Sequence, residues 1–362
     1  MPTRKLTWQC RPARDLLGDA DLRGDWDRLN DARLGLPFLN ADALCAALDV
    51  FGAGTEALLV GRADGRASAM AVLTPQGRWR WGTFQPSQVP LGAWVAEADL
   101  VLDDLTRQIV RSGALGLCLA LSISQIDPLQ DPRSDDAADN RHDDYIPTSW
   151  LEISGSFDEY WAARGKNLRQ NARKQRNKLA ADGIAATLRV FTAREEMAPA
   201  LARYGIMESS GWKASQGTAI HPDNAQGRYY IRLLEAAADK GQALVTEYLF
   251  GEQTVAMNLG LLRRGVLVVL KTTYDETVTK ALSPASLLRE EELQQFFAGT
   301  EVQRIEYYGR TMDWHTKLTE RQRTLYHQTT YRWPFVKRLA ERRRQRMAAA
   351  AEPAPAAEPT PE

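Results

Sequence analysis

The sequence predicts an α/β (α+β) chain made of two tandem units, each a mixed, mainly antiparallel sheet flanked by helices. Three observations carry this prediction. The chain has 362 residues, enough for about two domains. Each half holds three short apolar or β-branched runs divided by turn residues. In both halves a helical segment and one more short strand follow the three runs, and helical segments precede them.

In the second half the runs are Leu244–Phe250, Thr254–Leu262 and Val266–Thr273. Gly251–Glu252 and Arg263–Gly265 separate them, which is the punctuation of an antiparallel meander. A helix over 283–298 comes next, with Leu287, Leu288, Leu293, Phe296 and Phe297 at helical spacing, and then a strand over 302–308. The first half repeats the order: strands at 57–61, 67–73 and 78–84, a helix over 93–112, and a strand over 115–123. Helical segments at 26–34 and 42–51 precede one meander, and segments at 194–209 and 224–240 precede the other. Residue identity between the halves is weak, so the repeat is one of architecture.

Composition narrows the function classes. With 44% hydrophobic residues the chain can build ordinary cores. Its unbroken apolar runs, such as Val266–Leu270, are far too short for a membrane helix. Residues 1–10 lack the apolar core of a signal peptide. Three scattered cysteines and four histidines suggest neither a disulfide framework nor a metal site. The expectation is a cytoplasmic protein without a metal.

Charge is balanced, 46 Lys plus Arg against 46 Asp plus Glu, but it is segregated. Seven cations fall between Arg164 and Lys178 with no acid among them. Seven more lie in 332–346 against Glu341 alone, while 127–144 carries seven Asp against Arg133 and Arg141. Zero net charge excludes a wholesale nucleic-acid binder, whereas local blocks suit a charged partner. The acidic stretch also holds Pro128, Pro132 and Pro147, and it reads as a surface loop marking a boundary within 127–147. Residues 348–362 are Ala, Pro and Glu apart from one Thr, which predicts a disordered tail. The expected division is 1–146, 147–335, a basic helix at 336–347, and the tail.

Three stretches could carry chemistry. Ser283 is a good N-cap and Pro284 suits the first helical position, so the N–H groups of Ala285 to Leu287 are expected to be unpaired and to favour an anion. The block 208–220 presents Trp212 and Lys213 from a glycine-containing loop. After the last strand, Gly309 is followed by Arg310, Asp313, His315 and Lys317, with no recognisable Ser or Cys nucleophile nearby. In the basic helix, Lys166, Arg169, Arg173 and Arg176 share one face beside an apolar face holding Leu168, Ala172 and Leu179. Such a stripe suits phosphates of a substrate or of RNA.

The run from Arg169 to Leu179 with Asp182–Gly183, the Glu208–Lys213 block with Gln216–Thr218, the segment from Lys271 to Glu276 leading into Ser283–Leu288, and Tyr308-Gly-Arg with Lys317 together resemble the CelD/BcsL-type acetyltransferases. These belong to the GNAT superfamily, and the layout is similar to the FemAB-type transferases, which hold two GNAT-like units in tandem. The resemblance covers roughly 150–332 and, more loosely, the first half. It implies transfer from acetyl-CoA or another acyl-CoA, without a metal, and makes Ser283, Ala285, Ser286 and Leu287 the pyrophosphate-binding turn. Ala285 stands where the family has Gly, and its methyl narrows the approach to the backbone.

Direct attack on a thioester needs positioning, one proton removed and an oxyanion stabilised, but no protein nucleophile. Asp275 or Glu247 is the expected base, and Tyr274 or Tyr308 the expected acid to the leaving thiolate. Acceptor binding is assigned to Trp212, Lys213, Lys271, Arg310, Lys317, Arg169, Arg173 and Arg176. The expected activity is acyl-CoA-dependent N- or O-acyl transfer to an envelope or exopolysaccharide precursor, a sugar or peptide bearing an amine or hydroxyl, phosphate-linked or not. The alternatives are a FemAB-like transferase using aminoacyl-tRNA and a catalytically degenerate scaffold that binds a partner.

Overall fold

The computed structural model describes residues 4–210, 220–279 and 281–351. The first unit runs β1 (Thr7–Pro12), α1 (Asp15–Gly18), α2 (Ala20–Asp31), α3 (Ala41–Phe51), β2 (Ala57–Ala63), β3 (Arg66–Gly77), β4 (Arg80–Thr83), β5 (Trp94–Ala96), α4 (Leu102–Ser112) and β6 (Ala120–Ile126). Strand β7 (Asn140–Glu152) and helices α5 (Phe157–Ala162) and α6 (Lys166–Ala181) lead to the second unit. That unit runs β8 (Ala186–Phe191), α7 (Arg194–Ser210), α8 (Ala225–Ala238), β9 (Ala243–Phe250), β10 (Gln253–Arg263), β11 (Val266–Tyr274), α9 (Pro284–Ala298), β12 (Arg304–Glu306) and α10 (Asp313–Leu318). Strand β13 (Gln322–Tyr331) and helix α11 (Pro334–Ala351) follow.

Local chemistry explains most of these boundaries. Asp19, Asn40 and Asn224 cap α2, α3 and α8 by accepting from the N–H of Leu22, Ala43 and Gly227. The hairpin between β2 and β3 turns at Asp64 and Gly65, with φ of 49° and 78°, the left-handed pair that a two-residue turn requires. Arg264 and Gly265, at 51° and 78°, do the same between β10 and β11.

Both units hold the expected meander and helix, and each also has an edge strand, β1 or β8, that the sequence reading did not predict. The expected helix over 93–112 starts only at Leu102. Asp103 and Asp104 favour its first turn, whereas Trp94–Ala96 pairs with β3 as a strand. The parallel pairs β4–β6 and β11–β12 occupy equivalent places in the two units.

The units share one mixed sheet, in the order β1-β2-β3-β4-β6-β13-β7-β12-β11-β10-β9-β8. By chain order β7 closes the first unit and β13 the second. Yet β7 pairs with β12 of the second unit, and β13 pairs with β6 of the first. Each half therefore completes its sheet edge with a strand from the other.

Residues 140–147, expected as surface loop, are the first part of β7. Asn140, His142 and Ile146 face inward and the intervening residues are more exposed. The acids around them are neutralised within the fold. Lys337 of α11 donates to the carbonyls of Ala137 and Asn140 at 2.8 and 2.7 Å, and Arg344 pairs with Asp143 at 3.0 Å. The expected tail begins too early, since α11 continues through Ala351, and residues 352–362 lie outside the described residues.

On one face of the sheet, α2 and α3 meet α7 and α8 in a single core that includes Trp26, Phe38, Leu44, Tyr204, Tyr229 and Leu233. On the other face, α4 covers the first unit's strands, while α9, α5 and α6 cover the second's.

Candidate functional site

Strand β11 starts beside β12, with Val266 opposite Arg304 and Val268 opposite Glu306. The register with β10 then shifts, Leu259 facing Lys271 and Gly260 facing Val269, so Leu270 is an extra residue in β11. Beyond this bulge β11 pairs only with β10, as far as Tyr274. β12 ends at Glu306, and Tyr308 adopts a left-handed φ of 46° as the chain turns away. Pairing between the two parallel strands thus stops, and α9 lies across the place where it stops. A cavity of about 10 Å³ beneath α9, bordered by Asn258, Thr272, Arg289, Glu292 and Tyr307, is too small for more than a water.

Ser283 occupies the N-cap position of α9 but makes no side-chain cap; its hydroxyl lies 2.9 Å from that of Ser286. The N–H groups of Ser286 and Leu287 both donate to the Ser283 carbonyl, at 3.0 and 3.1 Å. Of the three N–H groups expected to be free, only that of Ala285 has no partner among the described residues, because the first turn closes on one carbonyl. The side chains of Ala285 and Leu287 are buried, and Ser286 is exposed.

A larger cavity, about 260 Å³, opens in front of this turn. Ser283, Ser286 and Arg289 border it from α9, and Trp314 and Lys317 from α10. Trp161 of α5 and Asn167, Asn171 and Gln175 of α6 form the opposite wall. The three amides stand at i, i+4 and i+8, so they form one row along the helix. The Gln175 Oε1 atom is buried and has no hydrogen-bond partner. The Arg289 guanidinium lies 3.7 Å over the Trp314 ring and makes no ion pair among the described residues. Burial works against its charge, and Tyr307, Glu292 and Tyr274 support it electrostatically. Trp314 stacks on His315 with 3.5 Å between centroids. Burial and the nearby Arg289 push the His315 imidazole down to about 4, and its Nδ1 accepts the Met312 N–H at 2.9 Å. His315 is therefore neutral at physiological pH.

The structure brings together Ser283, Ser286 and Lys317 from the sequence-expected set. Arg169 and Arg173 are exposed on α6, on the side of the helix opposite the amide row, and do not border the cavity. Arg176 leaves the stripe to fork between Glu290 at 3.0 Å and Glu291 at 2.9 Å on α9. Tyr274 is 47% exposed at the end of β11, within electrostatic reach of Arg289. Asp275 follows it. Desolvation raises its proton affinity, but hydrogen bonds from Thr277 and Gln253 outweigh this and hold the carboxyl below its ordinary value. Lys271 is half-buried within β11, and Arg310 is exposed in the loop after β12.

Glu247 is elsewhere. It is buried and accepts both Arg203 Nε at 2.9 Å and Nη2 at 3.2 Å, while its neighbour Thr246 reaches Glu292 of α9 from the other face of β9. Tyr308 is packed edge-on against Phe38, 5.2 Å between centroids, at the junction of the units. Trp212 and Lys213 lie outside the described residues.

Sequence reasoning missed Arg289, Glu292, Trp161, Trp314 and the amide row. The i, i+4, i+8 spacing of Asn167, Asn171 and Gln175 was a readable signal, as was Arg289 three residues beyond Ser286 on α9. Among the described residues no group of three or more His, Cys, Asp or Glu could hold a metal ion, and no helix is long and apolar enough to cross a membrane.

Residues 166–316, from the start of α6 to α10, match the family model described as an acetyltransferase (GNAT) domain. These residues form a GNAT-type acetyltransferase domain, which makes the chain a transferase. The chain as a whole has the fold of the C-terminal domain of an Agrobacterium fabrum protein described as a lysylphosphatidylglycerol synthetase. The two are 14% identical with a TM-score of 0.51, over 84% of this chain and 92% of that one. A conserved protein of unknown function from Bacteroides thetaiotaomicron is 11% identical with a TM-score of 0.50, over 87% and 97%. A tandem GNAT protein from the clavulanic acid biosynthesis pathway is 14% identical with a TM-score of 0.45, over 90% and 98%. A search of curated proteins matches nothing to the chain.

Proposed function

We propose that this GNAT chain is a cytoplasmic N- or O-acyltransferase that moves an acyl group, acetyl first among them, from coenzyme A to an amine or hydroxyl of an envelope or exopolysaccharide precursor. The observation that carries the reading is the convergence, at the start of α9, of Arg289, Lys317 and two serine hydroxyls in one cavity. Two cations and a helix N-terminus fit a pyrophosphate, so the residues present suit the co-substrate.

When bound, the acyl-thioester supplies the activated carbonyl. Arg289 and Lys317 hold the phosphates. Tyr274, next in reach of Arg289, is placed to donate a proton to the departing thiolate. Asp275, already ionised and braced by Thr277, orients the acceptor at the end of β11 and takes its proton as the bond forms. Glu247 is committed to Arg203, and we assign it to holding α7 on the sheet. Trp161 and the amide row give a sugar-bearing acceptor an apolar surface and hydrogen bonds.

The test is thermal unfolding of the purified chain with and without acetyl-CoA and longer acyl-CoA. A ligand at a hundred times its Kd stabilises by about 2.7 kcal/mol, and no shift at millimolar ligand overturns the reading.

A second reading is favoured by the exposed cations Lys166, Arg169 and Arg173, a basic stripe on the outer face of α6: transfer from aminoacyl-tRNA. It predicts tRNA binding that weakens steeply with salt. Binding retained in the Arg169→Glu, Arg173→Glu double variant overturns it.

A further inference from the structure

A second cavity, about 360 Å³, lies at the other end of α9 and is no part of the site at Ser283. Leu188 and Val190 of edge strand β8, Leu244 of β9 and Phe296 of α9 give it apolar walls. Its charged groups are all of one sign. Glu292 is buried at its base and Glu301 is exposed at its rim, and no Lys, Arg or His lines it.

Three features leave the base without a contacting cation, although Arg289, one turn earlier on α9, attracts Glu292 from a distance. Glu292 is only 7% exposed, yet among the described residues no cation comes within ion-pair distance of it. Its Oε1 accepts from Thr246 and Asn258, whereas Oε2 accepts from Asn258 alone, at 2.8 Å, and keeps capacity for another donor. The same cavity is bordered by Gln295 and Gly299, so the carbonyl end of α9 faces it, and the last turn of α9 contains no basic residue. Helix C-termini carry partial negative charge that a cation normally answers. A buried carboxylate without a counterion is costly unless something positive joins it.

We propose that this cavity binds a small organic ammonium ion, a primary amine with a short apolar body, whose head engages Glu292 and the C-terminus of α9 while its tail lies on Leu188, Val190, Leu244 and Phe296. The volume, about 360 Å³, lies at the small end of the range for ligand pockets. Burial raises the proton affinity of Glu292 against the hydrogen bonds from Thr246 and Asn258 and the pull of Arg289. The inference does not depend on the acyl-transfer reading.

The experiment compares thermal unfolding and calorimetric binding of the full chain with hexylamine, 1-hexanol and hexanoate at equal concentrations. The expected result is stabilisation and saturable binding with hexylamine only. Equal effects of hexylamine and hexanol overturn the proposal, since the apolar walls would then suffice.

Two variants locate the site. Glu292→Gln is expected to weaken hexylamine binding at least tenfold. Val190→Lys places a cation at a 45%-exposed position on the rim, where folding is not at risk, and is expected to weaken it by a similar factor. Circular dichroism confirms that Val190→Lys is folded. Binding of wild-type strength in that variant overturns the proposal, whatever Glu292→Gln does.

Discussion

Arg323 of β13 forks onto Asp127 just beyond β6, Nε to Oδ1 at 2.8 Å and Nη2 to Oδ2 at 2.6 Å, with both side chains buried. The same Nη2 reaches Glu306 Oε2 at 2.9 Å, at the end of β12. One guanidinium thus joins the first unit's last inner strand, the second unit's last inner strand, and the strand exchanged between them. The Trp150 ring lies 5.0 Å below it. Asp127→Asn leaves a buried arginine with half of its compensation. Loss of a buried charged partner costs about 3–5 kcal/mol, so the urea midpoint should fall sharply while the folded spectrum is kept in buffer. An unchanged midpoint would mean that water already reaches the pair.

Glu306 makes stability depend on pH. Burial pushes its carboxyl up to about 7, against the pull of Arg323. The folded state therefore holds a proton that the unfolded state releases near pH 4.5. The contribution is fully present below that value, and it is lost as pH rises through about 7, at a slope of up to about 1.4 kcal/mol per pH unit. Unfolding free energies of wild type and Glu306→Gln, measured across pH 4.5 to 7.5, should diverge in favour of the variant as pH rises. Parallel curves would contradict the assignment.

Two arginines of α6 should behave differently although sequence places them on one face. Arg173 is exposed, and Arg173→Ala should change stability by less than about 0.5 kcal/mol. Arg176→Ala strands Glu290, which is 6% exposed, and should cost about 1–3 kcal/mol. Paired denaturation curves decide this, and equal effects would show that the fork to α9 is absent in solution.

Arg289 should matter for ligand affinity. A hydrogen bond to a charged group is worth about 1.5–3 kcal/mol, so Arg289→Gln should raise the acyl-CoA Kd by roughly 10- to 100-fold. Calorimetry with acetyl-CoA and with free coenzyme A reads it. The same loss for both would place Arg289 on the phosphates, whereas a loss confined to acetyl-CoA would place it at the acyl group.

The strand exchange predicts that the halves are not autonomous. Expressed singly, 1–155 lacks β13 beside β6, and 156–362 lacks β7 beside β12. Each alone should show unfolded or aggregated behaviour by circular dichroism, and co-expression should restore the native spectrum. A folded, soluble single half would refute the interdependence.

By itself the sequence determined the repeated meanders, the helices α3, α7, α8 and α9, the two inward residues of α6, Ala172 and Leu179, and the family resemblance around Ser283. These signals are local: period 3.6 or 2, hairpin glycines and caps are written within a few residues of where they act. Tertiary structure decided what no local pattern contains. It placed β13 between β6 and β7, whose polar inward residues Asn140, His142 and Gln328 hide the alternation that marks a strand. It answered the acidic stretch with α11 and Arg323 instead of with a partner. It also turned the amide row of α6, rather than its cations, toward the cavity, and set Arg289 and Glu292 one turn apart on α9, bordering different cavities at its two ends. Charge neutralisation and strand pairing across about 200 residues depend on which segments meet, and only the packed sheet specifies that.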